Sequence, residues 1–311
     1  AKFSNSKSLT LSQEKTAVKH PHVLGLGEVF SWTKVTLREP KTMKSISSML
    51  ECDCIINGHT AGASEKKLNA YVSSGILSCH EPINFDQVLE RLRLGMWIMI
   101  REGSIRRDLN EIIPRVLSHG TYLNRLMFCS DGLDPLDITK FGHIDHCIRE
   151  SIRHGLKPID AITIASKNNF DYYNMGKDLG GIAPGKLADI LIFDDLKSFK
   201  PTKVFVGGKL IISNGRFVIP IKKKPIPSWI KKTVKLKNFS KNDFLIKSKK
   251  KNVLANTIFM QSEIITKIGS SELQSIDGNV SASLNSDVWK VAAFDRIHGT
   301  NRHSIGFLEN F

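Results

Sequence analysis

The sequence predicts an α/β protein. Residues 1–179 read as a partial (β/α)8 barrel, 180–220 as a small β-sandwich portion, and 221–311 as a basic linker and a partial C-terminal α+β domain. Short apolar runs alternate with amphipathic helical stretches, the pattern of parallel βα units. Four of these runs end on a carboxylate or an imidazole, and barrel strands carry their chemistry at their C-terminal ends. Near residue 180 the alternation gives way to closely spaced hairpins.

Taken in order, Thr10 to His20 reads as a helix, with Thr10 and Gln13 at capping-box spacing and Pro21 as its stop. A strand from Val23 to Glu28 follows. Lys41 to Leu50 is a weak helix leading to the strand Ile55–Gly58, which ends on His59. Ser64 to Ser73 is a short helix with Leu68 and Tyr71 on one side, and the strand from Gly75 ends on His80. Asn84 caps a helix whose Phe85, Val88, Leu89 and Leu92 recur at helical spacing. Met96 to Ile100 is a buried strand reaching Arg101, Glu102, Gly103 and Ser104. Leu109 to Leu117 is helical, with Pro114 expected to interrupt it. The strand Leu126–Asp131, an amphipathic helix from His143 to His154, and a helix starting at Pro158 complete this part. That gives about five strands before residue 135, whereas a full barrel takes about 250 residues. An open sheet fits the count alone; a truncated barrel suits the strand-end chemistry better.

Beyond Gly180, successive hairpins run through Ile190–Phe193, Val204–Val206, Leu210–Ile212 and Phe217–Ile219. Pro220 to Lys251 reads as a basic linker or exposed loop. Strands are expected at Leu254–Phe259, Ile264–Ile268 and Val288–Phe294, with His298 and His303 in a polar surface loop.

Composition bounds the function. At 41% hydrophobic, the 311 residues can bury a sizeable core. No apolar run reaches the roughly 18–20 residues of a membrane span. Five cysteines without a CxxC pair fit a reduced, cytoplasmic protein. The net charge of +15 crowds into Lys222–Lys224, Lys231–Lys232 and Lys249–Lys251. Without arginine enrichment or interleaved aromatics, that region reads as a solvated surface and not as a nucleic-acid site. The absence of an initiator methionine leads us to expect that the chain begins inside a longer protein.

Glu28, His59, His80 and Asp131 end four strands in chain order. A lone histidine after a strand is more often structural, but this ordered set has the donor mix of a hydrolytic metal site: neutral imidazoles plus carboxylates. Glu81 follows His80 directly and can reach a bound substrate as an acid or a hydrogen-bond partner. His143 and His146 flank Asp145 near a helix start, where capping is the simpler role.

The segments Gly25-Leu26-Gly27-Glu28-Val29, Gly58-His59, Leu68-Asn69-Ala70-Tyr71, His80-Glu81, Arg101-Glu102-Gly103-Ser104, Phe128-Cys129-Ser130-Asp131 and Gly142-His143-Ile144-Asp145-His146 resemble the adenine deaminase family of the amidohydrolase superfamily. Gly181-Ile182-Ala183-Pro184-Gly185-Lys186-Leu187-Ala188-Asp189 is similar to that superfamily's return from barrel to β-sandwich, and Arg296-Ile297-His298-Gly299 resembles the family's C-terminal domain. The resemblance implies a metal-dependent hydrolase with a binuclear centre of manganese or iron, zinc being a third candidate. It implies Glu28 as bridging carboxylate, His59 and His80 as ligands, and Asp131 as ligand and proton shuttle. It implies hydrolytic attack at C6 of adenine, giving hypoxanthine and ammonia, with Glu81 on the purine. Arg101, Glu102, Ser104 and His143 are implied substrate-side residues, and a cytoplasmic homo-oligomer is expected. Alternatives are a related amidohydrolase acting on another cyclic amidine or amide, and a catalytically impaired binding homologue. The chain departs from the family at Asn57, Thr60-Ala61, Cys79 and Gly132, and lacks the family's first-strand His-x-His, which is expected upstream of Ala1.

Overall fold

The computed structural model describes residues 9–221, 224–236, 238–261, 265–282 and 287–311. It divides into two units, Leu9–Ile221 and Lys222–Phe311. In the first, α1 (Leu11–Ala17) carries the expected capping box between Thr10 and Gln13. β1 (Gly25–Val29) pairs in parallel with β2 (Ile55–Gly58), and α2 (Trp32–Thr36) and α3 (Pro40–Leu50) lie between them in sequence. β3 (Ser78–Cys79), β4 (Trp97–Arg101) and β5 (Leu126–Cys129) form a second parallel ladder in chain order. The two ladders meet through side chains, with the Gly58 amide donating to Ser78 Oγ at 3.2 Å. α4 (Glu65–Val72), α5 (Phe85–Arg93) and α6 (Leu109–His119) make the crossovers.

Asn84 Oδ1 accepts from the Gln87 amide, which starts α5 where the spacing places it. Phe85 and Val88 then face the core formed by Ile98, Ile100, Leu126 and Phe128 of the strands with Ile112, Ile113 and Val116 of α6. Burial of each such side chain contributes about 1.5–3 kcal/mol. A second core gathers Ile56, Val35, Ile46, Met49, Tyr71 and Ile76 around the β1–β2 end. Pro114 does not interrupt α6, contrary to the sequence expectation. The lost hydrogen bond is outweighed because Ile112, Ile113 and Val116 around it are all fully buried.

After β5 come α7 (Pro135–Phe141), α8 (Ile144–Arg153), α9 (Pro158–Ala165) and α10 (Lys167–Tyr172). The hairpins appear as a four-stranded antiparallel sheet of β6 (Ile190–Phe193), β7 (Pro201–Val206), β8 (Lys209–Ser213) and β9 (Arg216–Phe217).

The second unit is a five-stranded sheet. It contains β10 (Asn252–Met260), β11 (Thr266–Ile276), β12 (Asn279–Ser281), β13 (Val288–Phe294) and β14 (His303–Glu309), ordered β12-β11-β10-β14-β13. Its core holds Leu273, Val280, Val288 and Phe307. Among the described residues this unit has two short 3-10 turns, Ser228–Lys232 and Lys241–Phe244, and no α-helix. The expected strand start at Ile264 lies outside the described residues. His303 opens a strand and stacks on Phe294, so it does not lie in the polar loop expected of it. None of the five cysteines is bonded to another. No helix among the described residues is long and apolar enough to cross a membrane.

Candidate metal centre

Glu28 reaches the site through a bulge. Leu26 pairs with Ile56 and Glu28 with Asn57, so Gly27 is the extra residue on β1. Such a bulge re-aims the following side chain.

His59 and His80 are the first residues after β2 and β3. Gly58 is required by space: a Cβ there would lie 2.4 Å from the Ser78 carbonyl oxygen and 2.9 Å from the Tyr71 hydroxyl. That hydroxyl accepts from the His59 amide at 3.1 Å and donates to the Val29 carbonyl at 2.9 Å, tying β1 to the end of β2. Burial pushes the Tyr71 phenol up, which keeps it a donor.

The donor atoms converge. His80 Nε2 lies 3.2 Å from Glu28 Oε2 and 3.3 Å from Glu81 Oε1. His59 Nδ1 lies 3.6 Å and 3.8 Å from the same two oxygens. His59 Nδ1 is buried and, among the described residues, has no hydrogen-bond partner. Burial lowers the His80 pKa against the opposing pull of Glu28 and Glu81, favouring the neutral imidazole that a metal requires. Two ligands about 2.1 Å from one ion sit roughly 3.0–3.4 Å apart at octahedral or tetrahedral angles. The residues fit a divalent cation: the two His80 distances fall in that range, the His59 distances of 3.6 and 3.8 Å lie just beyond it, the orphaned nitrogen gains a partner, and the donor set is mixed N and O.

Glu28, His59 and His80 form one group able to hold a metal, and His80, Glu81 and Asp131 a second. Asp131 is about half exposed and is ion-paired with Arg101. Gly103 lets the two strand-end loops close, since a Cβ there would lie 2.2 Å from the Asp131 carbonyl oxygen. Arg101 Nη1 also donates to Glu81 Oε1 at 2.7 Å. The other sequence candidates do not join the donor cluster. Glu102 points to the helix side, with Oε1 3.7 Å from His146 Nε2, and burial pushes its carboxyl up to about 7. Ser104 Oγ accepts from the Asp134 amide at 2.7 Å, and His143 Nε2 lies 2.7 Å from Ser130 Oγ.

Sequence reasoning missed Arg106, Asp108, Phe30 and the Tyr71 hydroxyl. Arg106 Nη1 donates to Glu81 Oε2 at 2.7 Å, and the Phe30 ring sits 4.4 Å from the His59 ring. The one signal for Arg106 was a charged cluster just beyond the end of β4.

A match to the amidohydrolase family spans residues 34–211, more than half of the chain. The chain belongs to the amidohydrolase family. Over 310 residues it is 57% identical to the adenine deaminase of Cenarchaeum symbiosum (strain A), covering 100% of this chain and 51% of that protein. It is 35% identical over 290 residues to the adenine deaminase of Kosmotoga olearia, covering 93% of this chain and 50% of that one. The chain thus spans about half the length of the curated relatives it matches. The solved β-aspartyl dipeptidase of Fervidobacterium islandicum AW-1 shares the fold at a TM-score of 0.52 and 18% identity, covering 68% of this chain and 62% of that chain. Amidohydrolase membership implies a divalent metal, and the Glu28–His59–His80 group gives this chain a candidate place for one.

Proposed function

We propose that the chain is part of a metal-dependent adenine deaminase, which converts adenine and water to hypoxanthine and ammonia. One observation carries the reading: two imidazole nitrogens and two carboxylate oxygens from successive strand ends approach within 3.2–3.8 Å. The two relatives named adenine deaminase support the substrate. Residues 1–179 are then part of a (β/α)8 barrel, 180–220 a β-sandwich portion, and 221–311 a linker and part of a C-terminal domain. The assembly is a homo-oligomer in the cytoplasm.

The cofactor would be a binuclear centre of manganese or iron, which Glu28, His59, His80 and Asp131 would hold. When bound, it supplies Lewis-acid activation of water near neutral pH. Glu81 turns Oε1 toward the purine and accepts one of its N–H groups. Asp131 carries a proton from the attacking water to the leaving amine. Arg101 bridges Glu81 and Asp131 and keeps the acceptor and the proton carrier at a fixed separation. Ser104 and His143 act from the surrounding loops. The partners of Glu102 in α6 and α8 support a role in shaping the loop after β4.

The test is to express the chain in its complete reading frame, load it with manganese or iron, and quantify hypoxanthine and ammonia from adenine. Turnover of a different cyclic amidine or amide, with none of adenine, would assign a related amidohydrolase. Absent metal binding with salt-dependent retention of polyanions would assign a binding homologue.

A further inference from the structure

Glu81 is buried at 5% exposure and each of its oxygens has its own arginine. Arg101 Nη1 takes Oε1 and Arg106 Nη1 takes Oε2, both at 2.7 Å. The two arginines are not equivalent. Arg101 also pairs with Asp131, so it belongs to the site. Among the described residues, Arg106 meets the candidate site only through Glu81 Oε2, the oxygen turned away from the histidines. Its other donors are committed elsewhere. Nε donates to both oxygens of Asp108 at 3.1 and 2.8 Å, and Nη2 lies 2.7 Å from Asp108 Oδ2 and donates to the Pro82 carbonyl at 3.2 Å. Arg106 and Asp108 are buried at 7% and 6% exposure. The loop that carries them is closed by backbone bonds from Gly103 to Arg106 and from Asp108 to Arg101, at 2.8 and 3.0 Å.

A planar guanidinium fork fixes direction as well as charge, which a lysine cannot do. With Oε2 held by Arg106, the carboxylate cannot turn, and Oε1 stays beside Arg101 and faces the His59 and His80 nitrogens. We propose that Arg106, clamped by Asp108, is a positioning residue that presents Glu81 Oε1 to the purine and thereby sets substrate affinity. The proposal rests on the adenine reading for its ligand and on this geometry for its residue.

The experiment uses the metal-loaded protein in its complete reading frame, with Arg106→Lys and Arg106→Gln made alone and on a Glu81→Gln background. Loss of an outer hydrogen-bond partner typically costs about 10- to 100-fold. The expected result is a rise of that order in KM for adenine, larger than the fall in kcat, with metal content per chain retained. On the Glu81→Gln background the same substitutions should change KM by less than about 2-fold, because coupled residues are non-additive. An unchanged KM in the single variants, or an equal loss on both backgrounds, overturns the proposal. Arg106→Lys keeps a buried cation and carries the test should Arg106→Gln fail to fold. Should the wild type bind metal but not turn over adenine, the functional reading falls and a crystal structure of Arg106→Lys decides this one. There, Glu81 Oε1 is expected to leave its place beside His80 Nε2, and an unmoved Oε1 overturns the proposal.

Discussion

Glu102 offers a test in which the sign and the size both come from its surroundings. Its side chain is 7% exposed, Oε1 stands 3.7 Å from His146 Nε2, and Oε2 is buried without a hydrogen-bond partner among the described residues. Burial is the largest cause of its raised pKa, opposed by the Leu109 amide and Arg107 and reinforced by Asp108 and Glu150. The carboxyl rises from 4.5 to about 7. At about 1.4 kcal/mol per pH unit, that rise is worth about 3 kcal/mol. The folded state binds the proton more tightly than the unfolded state. The protonated carboxyl's full contribution is therefore present below pH 4.5 and is lost as pH rises through about 7. Glu102→Gln keeps the shape and removes the titration. Urea unfolding midpoints, measured from pH 4.5 to 7.5, should show the variant gaining about 3 kcal/mol on the wild type across that window. His146, whose own pKa is lowered by burial, faces Glu102 at 3.7 Å, so the comparison is repeated on a His146→Gln background to remove its titration. Parallel stability curves would refute the reasoning, because they would mean that Glu102 ionises as freely when folded as when unfolded.

Two further substitutions probe how the strand ends are held. Gly58→Ala places a Cβ 2.4 Å from the Ser78 carbonyl oxygen, so β2 and β3 must part. Overpacking of this kind costs about 1–3 kcal/mol, and a lower urea midpoint together with weaker metal retention is expected. Tyr71→Phe leaves the Val29 carbonyl and the His59 amide without their shared hydroxyl. A loss of about 1–3 kcal/mol is expected, with metal affinity by calorimetric titration falling because His59 loses its anchor.

Much of the first unit was legible in the sequence because its signals are local. Apolar runs with turn residues marked β1 to β5, and Thr10 and Asn84 capped helices where side-chain spacing said they should. The candidate donors that the structure brings together, Glu28, His59 and His80, were visible for the same reason: each stands at the end or edge of an apolar run. What the sequence hid depends on distant partners. A charged residue defaults to the surface, so nothing local marks Arg91 as fully buried, donating to Thr60 and to the Thr60 and Ala63 carbonyls. Arg106 and Asp108 were hidden likewise, and the Tyr71 hydroxyl was hidden because its partners lie 12 and 42 residues away. The short helices α2 and α7 lacked the length for a periodic signal. Pro114 was misjudged because a local penalty was weighed without the core that surrounds it.

In the proposed function, Glu28, His59 and His80 hold a divalent metal on which deamination of adenine depends. The decisive measurement is ammonia release from adenine, plotted against bound metal per chain. The protein is taken in its complete reading frame, stripped with a chelator and then reloaded stepwise with manganese or iron. Activity should be lost on stripping, return in proportion to bound metal, and be absent with lowered metal content in His80→Ala. Deamination that persists at full rate in the stripped protein, or metal content unaltered in His80→Ala, would contradict it.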